Sequence, residues 1–159
     1  MVDSGPLIAL ASLEQVTLLR EHFAELLIPP GVEREIMVQG AGRVHARELG
    51  AALADGAARV VPVRNQLLLA RLRRPALSET DSEVIACALE AACTVVADDR
   101  ALRTLALAEG VALIGTVGLL THARLRGKIP ALKPLLDQLV RDGFRLDPTG
   151  SVYEMLSLA

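Results

Sequence analysis

The chain has 159 residues, of which 52% are apolar and 2% aromatic, and its formal net charge at pH 7 is −2. That length suits one domain with a real core, expected to run over 1–159. The slightly negative charge argues against a protein that coats nucleic acid electrostatically, and Phe23, Phe144 and Tyr153 are too few for a base-stacking platform. No run of about 18 apolar residues is free of charge, so no membrane span is expected. The start, Met1-Val-Asp3-Ser-Gly-Pro6, lacks the basic-then-apolar pattern of a signal peptide. The expected location is therefore cytoplasmic. Cys87 and Cys93 read as buried free thiols of a reducing compartment, and no Cys/His spacing resembles a zinc site. The excess of aliphatic residues hints at a buried partner surface or a homodimer.

In chain order, Met1 and Val2 read as the end of a very short strand, since core strands usually run about 5 residues. Asp3-Ser-Gly-Pro6 turns into a helix, with Pro6 suited to its first position. Ser12-Leu-Glu-Gln15 reads as a capping box opening a helix to about Phe23. Leu26 to Pro29 is a short buried strand, and Val32 to Val38 a helix carrying Glu33 and Glu35. Gly40-Ala-Gly42 breaks it, and His45 to Ala54 is the next helix, ended by Asp55-Gly56. Arg59 to Val63 is a strand near a sheet edge, because of Pro62. Gln66 to Arg73 is a short helix.

Thr80 to Ala92 is a helix, and Thr94 to Ala97 a continuous apolar run of the kind covered on both faces. A helix opened by Asp99 or Arg100 ends at Glu109-Gly110. Val111 to Ile114 is a strand, followed by a helix from Gly115-Thr116 to Arg126-Gly127. Another runs from Pro130 or Ala131 to Asp142-Gly143, and Pro148 to Leu158 is a last short helix. Five strands, each followed by helix, imply an α/β fold of three layers, α/β/α, around a mostly parallel sheet. In such sheets the site lies beyond the carboxyl ends of the strands, where Asp3, Asp98 and Asp99 sit.

Each acid has a local explanation. Asp3 before Ser-Gly-Pro reads as a helix N-cap, and Thr80-Asp-Ser-Glu83 as a capping box. One of Asp98 and Asp99 can cap the following helix, but a second acid beside it repels its neighbour. Asp81 and Glu83 are two apart, as are Glu33 and Glu35, so each pair points to different sides of a helix. A parallel sheet nevertheless brings strand-to-helix joints together. Several carboxylates converging without Lys or Arg suit Mg²⁺ or Mn²⁺ and phosphoryl chemistry. His22, His45 and His122 have no partnered nucleophile motif, and there is no Gly-rich phosphate loop. Arg71-Leu-Arg-Arg74 and Arg124-Leu-Arg-Gly-Lys128 are either solvated faces or clamps for an RNA backbone. A phospho-accepting receiver domain needs a Lys after the last strand, where the sequence has Gly115-Thr-Val-Gly118.

The sequence resembles the PIN domain family, most closely its toxin-type and orphan prokaryotic ribonucleases. The resemblance is carried by Val2-Asp3-Ser-Gly-Pro-Leu-Ile-Ala-Leu10, Ile28-Pro-Pro-Gly-Val-Glu-Arg-Glu35, Asp81-Ser-Glu83-Val-Ile-Ala, Val95-Val-Ala-Asp98-Asp99-Arg-Ala-Leu102, Ile114-Gly-Thr-Val-Gly-Leu-Leu120 and Ile129-Pro-Ala-Leu-Lys-Pro-Leu-Leu136. It covers nearly the whole chain. It implies a five-stranded sheet with an acidic pocket, and Mg²⁺- or Mn²⁺-dependent hydrolysis of RNA by an activated water. Carried over, Asp3, Glu35, Glu83 and Asp99 are the four catalytic acids, with Glu33 as fallback for Glu35. Asp3, Asp81, Glu83, Asp98 and Asp99 are the metal ligands, and Ser4 and Arg100 contact substrate. The family also implies a homodimer and a small antitoxin partner. The sequence departs from the family at Val84, where Ala is frequent, at Ala97, where Thr is expected, and in its very short first strand. The competing expectation is a non-catalytic, degenerate binding module on the same scaffold.

Overall fold

The computed structural model of the chain describes residues 1–39 and 41–145. The helix expected over 148–158 lies outside them. Parallel pairing joins β1 (Leu26–Ile28) to β2 (Ala58–Val60), with Leu27 opposite Arg59. It likewise joins β3 (Val95–Val96) to β4 (Leu113–Ile114), with Val95 opposite Leu113. The Met1–Asp3 segment lies between the two pairs. Val2 N–H donates to Leu27 O at 2.9 Å, and Asp3 N–H to Val96 O at 3.0 Å. Val96 N–H donates back to Met1 O at 2.8 Å, making a parallel bridge between Val2 and Val96. One five-stranded ladder was expected. The regular ladders observed are two pairs, because strands of two or three residues form few bonds and the central segment makes a single bridge.

The helices follow the burial of their apolar faces. α1 (Ser4–Ser12) buries Leu7, Ala9, Leu10 and Ala11. That apolar run carries the helix through Ser12, whose Oγ donates back to Ala9 O at 2.9 Å, so Ser12 ends a helix instead of opening one. The chain turns at Glu14, with φ 58°, and α2 (Thr17–His22) follows. α3 (Pro30–Arg34) places Pro30 in its first turn, where a missing N–H is harmless, and runs into a π-helical turn, Glu35–Gln39. α4 is Val44–Ala54, and α5, Gln66–Leu72, is capped by Asn65, whose side chain accepts from Leu68 N–H.

α6 (Glu79–Ala91) buries Val84, Ile85, Cys87 and Ala88 and packs against α3, α5 and α7. Its capping box is Ser78–Asp81, not the expected Thr80–Glu83: Ser78 Oγ accepts from Asp81 N–H at 3.0 Å, and Asp81 Oδ2 accepts from Ser78 N–H at 2.7 Å. Thr80 is buried against Gly31 of α3, so the helix has to begin before it. Cys87 is buried, and its thiol donates to Val61 O at 3.2 Å. Burial first, then the charges of Glu90 and Glu83, push that thiol up to about 12. Both cysteines are free. α7 (Arg100–Ala108) ends at Gly110 and α9 (Lys133–Arg141) at Gly143, with φ of +70° and +94°, which glycine adopts without a Cβ clash. Among the described residues no helix is long and apolar enough to cross a membrane.

α8 (Thr116–Leu125) meets α2 through two imidazoles, His122 Nδ1 lying 3.0 Å from His22 Nδ1. One ring donates and the other accepts, so the contact requires an unprotonated nitrogen. Burial, His122 and the Arg126 charge all lower the His22 value. A folded-state value below the unfolded one, about 6.5, means stability that is complete above that pH and lost as pH falls through it. Urea denaturation at about pH 7.5 and about pH 5.5 should show wild type losing more stability than His22→Gln. Equal losses would mean that the pair carries no pH-dependent stability.

Candidate functional site

Asp3 stands at the N-cap position of α1, yet its side chain makes no capping hydrogen bond. Capping therefore does not account for it. It is buried, at 7% exposure, directly where the Met1–Asp3 segment runs out. Its carboxyl is pushed up to about 7: burial is the main cause, the Ser4 backbone N–H pulls the other way, and the charges of Asp81, Glu35 and Asp98 add to the rise. Asp3 thus feels the charge of three acids from three other segments. They come from the start of the π-helical turn, the first turn of α6 and the end of β3.

Asp98 is held from across the fold. Its Oδ1 accepts from Thr116 N–H at 2.8 Å and its Oδ2 from Thr116 Oγ1 at 2.5 Å. Burial raises its carboxyl above the ordinary range, while the two Thr116 bonds and the Arg103 charge hold the rise back. Arg103 is itself tied to Ala97 O at 3.1 Å. A Cβ on Gly115 would lie 2.8 Å from Asp98 Oδ1, so the approach needs glycine. Asp81 remains tied to Ser78, and Glu35 is half-buried.

The other sequence-predicted residues are placed differently. Glu83 Oε2 accepts from Gly31 N–H at 2.8 Å and braces α6 against α3. A Cβ on Gly31 would come within 2.6 Å of that oxygen. Asp99 is exposed and caps α7, its Oδ1 accepting from Leu102 N–H at 2.9 Å. Arg100 is exposed in the first turn of α7, Ser4 is half-buried at the start of α1, and Glu33 is half-buried on α3. Half of the basic residues in the two clusters are in ion pairs. Arg71 meets Glu109 with two bonds, Arg73 meets Glu79, and Lys128 meets Glu21. Thr116, Arg103 and Gly115 were missed from sequence. Gly115-Thr116 read as a turn into a helix and as part of the stretch Ile114–Leu120 that carries the resemblance, with no role assigned, although a small residue followed by a hydroxyl is what a close carboxylate needs. Arg103 carries no local signal.

Among the described residues no three His, Cys, Asp or Glu side chains are gathered closely enough to hold one metal ion as they stand. The donor chemistry does fit a hard divalent cation. The set is all carboxylate oxygen, and Asp3 is raised to about 7 chiefly by its burial, with the charges of Asp81, Glu35 and Asp98 adding to the rise.

Comparison with known proteins gives one family: the model described as DUF3368, a PIN domain, matches residues 1–158. No curated protein and no solved structure matches the chain.

An acid with a raised folded-state value destabilises the fold progressively as pH rises from its unfolded value, near 4, through its folded one. Asp3→Asn should therefore gain on wild type between about pH 4 and about pH 8, by a few kcal/mol at most, in guanidinium denaturation. A pH-independent difference would mean that the Asp3 carboxyl titrates as in water.

Proposed function

We propose that the chain, which belongs to the PIN domain family, is a Mg²⁺- or Mn²⁺-dependent endoribonuclease that hydrolyses RNA phosphodiester bonds with water. The observation that carries this reading is the buried Asp3 carboxyl, lifted to about 7 by burial and by the charges of Asp81, Glu35 and Asp98. A buried carboxyl with three acids around it is relieved by a cation. Asp3, Glu35, Asp81 and Asp98 would hold it. Asp98 takes this role in place of Asp99, because the Asp98 charge acts on Asp3 while Asp99 is exposed and caps α7. Glu83 supports the site from behind, through Gly31.

When bound, Mg²⁺ or Mn²⁺ supplies positive charge at the phosphate and makes a water more acidic. The chain's own residues do the rest. Asp3 can carry or release a proton on its carboxylate oxygens at neutral pH. A cleft of about 310 Å³, lined by Arg73, Arg74, Ser78 and Glu79 among others, opens beside the helix turn that bears Asp81, and an RNA phosphate there would meet Arg74 and displace Glu79 from Arg73. Ser4, next to Asp3, and Arg100, at the start of α7, are further substrate contacts in this reading. The strand pairs and the Met1–Asp3 segment are read as one five-stranded sheet in the order β2, β1, Met1–Asp3, β3, β4, on the strength of the bonds that segment makes to both sides. The toxin-type role, the homodimer and the antitoxin partner rest on the family resemblance.

The second reading, a non-catalytic binding module, is favoured by one observation, the absence of a ready three-donor cluster among the described residues. Calorimetry with Mn²⁺ and an RNA-cleavage assay separate the two. Asp98→Asn should lose Mn²⁺ binding and cleavage while remaining folded. Asp99→Ala should bind Mn²⁺ as wild type does and lose only about 1 kcal/mol of stability with its helix cap. A folded wild type that binds no Mn²⁺ and cuts no RNA would support the binding module. Loss of binding in the Asp99 variant alone would reverse the two roles.

A further inference from the structure

We infer that Thr116 is a positioning residue for the acid site, fixing the carboxylate of Asp98 in one orientation. The inference rests on the nuclease reading above. β3 is two residues long and Asp98 lies just beyond it, in the joint to α7, where no local partner holds its side chain. The partner comes instead from 18 residues further on, at the first residue of α8. Thr116 grips both carboxylate oxygens, Oδ1 through its N–H at 2.8 Å and Oδ2 through its hydroxyl at 2.5 Å. Two contacts from one residue fix the rotation of the carboxylate plane, which a single bond would leave free.

The grip is itself held rigid. Thr116 is fully buried, at 0% exposure, and its β-branch restricts its own rotation. Gly115 has no side chain, so Asp98 Oδ1 comes within 2.8 Å of where a Cβ would be. Arg103 flanks the joint from α7 through Ala97 O. Among the described residues each Asp98 oxygen accepts one bond, which leaves the second lone pair of each oxygen for the site. A carboxylate that must meet a cation together with Asp3, Glu35 and Asp81 gains from being held this way before the cation arrives.

The bland reading is a staple that only ties α8 to β3, and the test separates the two. Thr116→Val keeps the shape and removes the hydroxyl; Thr116→Ser keeps the hydroxyl. Thr116→Val should weaken Mn²⁺ binding by about 10- to 100-fold and lower kcat for RNA with KM unchanged. Thr116→Ser should restore both, at a melting temperature close to that of Thr116→Val. Gly115→Ala leaves both donors in place and displaces Asp98, and it should weaken Mn²⁺ binding in the same direction if the valine variant does not fold. Wild-type Mn²⁺ affinity and kcat in Thr116→Val or in Gly115→Ala, beside an active wild type, would overturn the inference alone. A wild type that neither binds Mn²⁺ nor cleaves RNA would overturn the nuclease reading, and this inference with it.

Discussion

The backbone of Met1–Asp3 is bonded on both sides, and the rest of the structure depends on that. Val2 donates toward β1, while Asp3 and Met1 exchange bonds with Val96 of β3. The strands are too short to hold a sheet by ladder length, so this segment is what joins the two pairs. Its direction also sets the chemistry. Running parallel to β3, it ends on the same side as Val96, and Asp3 and Asp98 emerge together. Burial of Val2 and Met1 on both faces keeps water from competing for those few bonds. A polar residue at either position would disturb the core and the alignment of the acids at once.

The acids around this joint divide into two kinds. Asp99 and Glu83 each accept a backbone N–H, from α7 and α3 respectively, and those bonds tie the helices down. Asp81 serves α6 with one oxygen and adds its charge to the surroundings of Asp3. Asp3 has no cap bond at all. In the proposed site, neighbours in sequence complete the helices that hold the acids. The adjacent pair Asp98 and Asp99 shows it best: one caps the helix that follows, and the other turns back toward α8.

The alternation of strand and helix was legible in sequence, as were β1 and β3 from their unbroken apolar runs and two helix ends from Gly110 and Gly143. The family was legible too, from the order of weak motifs along nearly the whole chain. The caps were not. Ser78–Asp81 and Thr80–Glu83 obey the same spacing, and only the burial of Thr80 against Gly31 decides between them. The π-helical turn at Glu35 has no spacing of its own to read. Acids could be located at the joints of the fold, but not oriented there. The turn of Asp98 toward Thr116 and the brace from Glu83 to Gly31 depend on partners 18 and 52 residues away.

Cys87 gives the acid-bearing helix a built-in tracer. Thiol-directed labels react with the thiolate, and burial on α6 keeps this one protonated, with a value of about 12, and bonded to Val61 O. A label can reach it only when α6 leaves its seat. Cys87 lies one helical turn beyond Glu83, so an excursion that bares its sulfur also releases the brace on α3. The labelling rate of Cys87 is therefore a clock for transient opening of the helix that presents Asp81. Cys93, half-buried just past the end of that helix, provides the reference beside it.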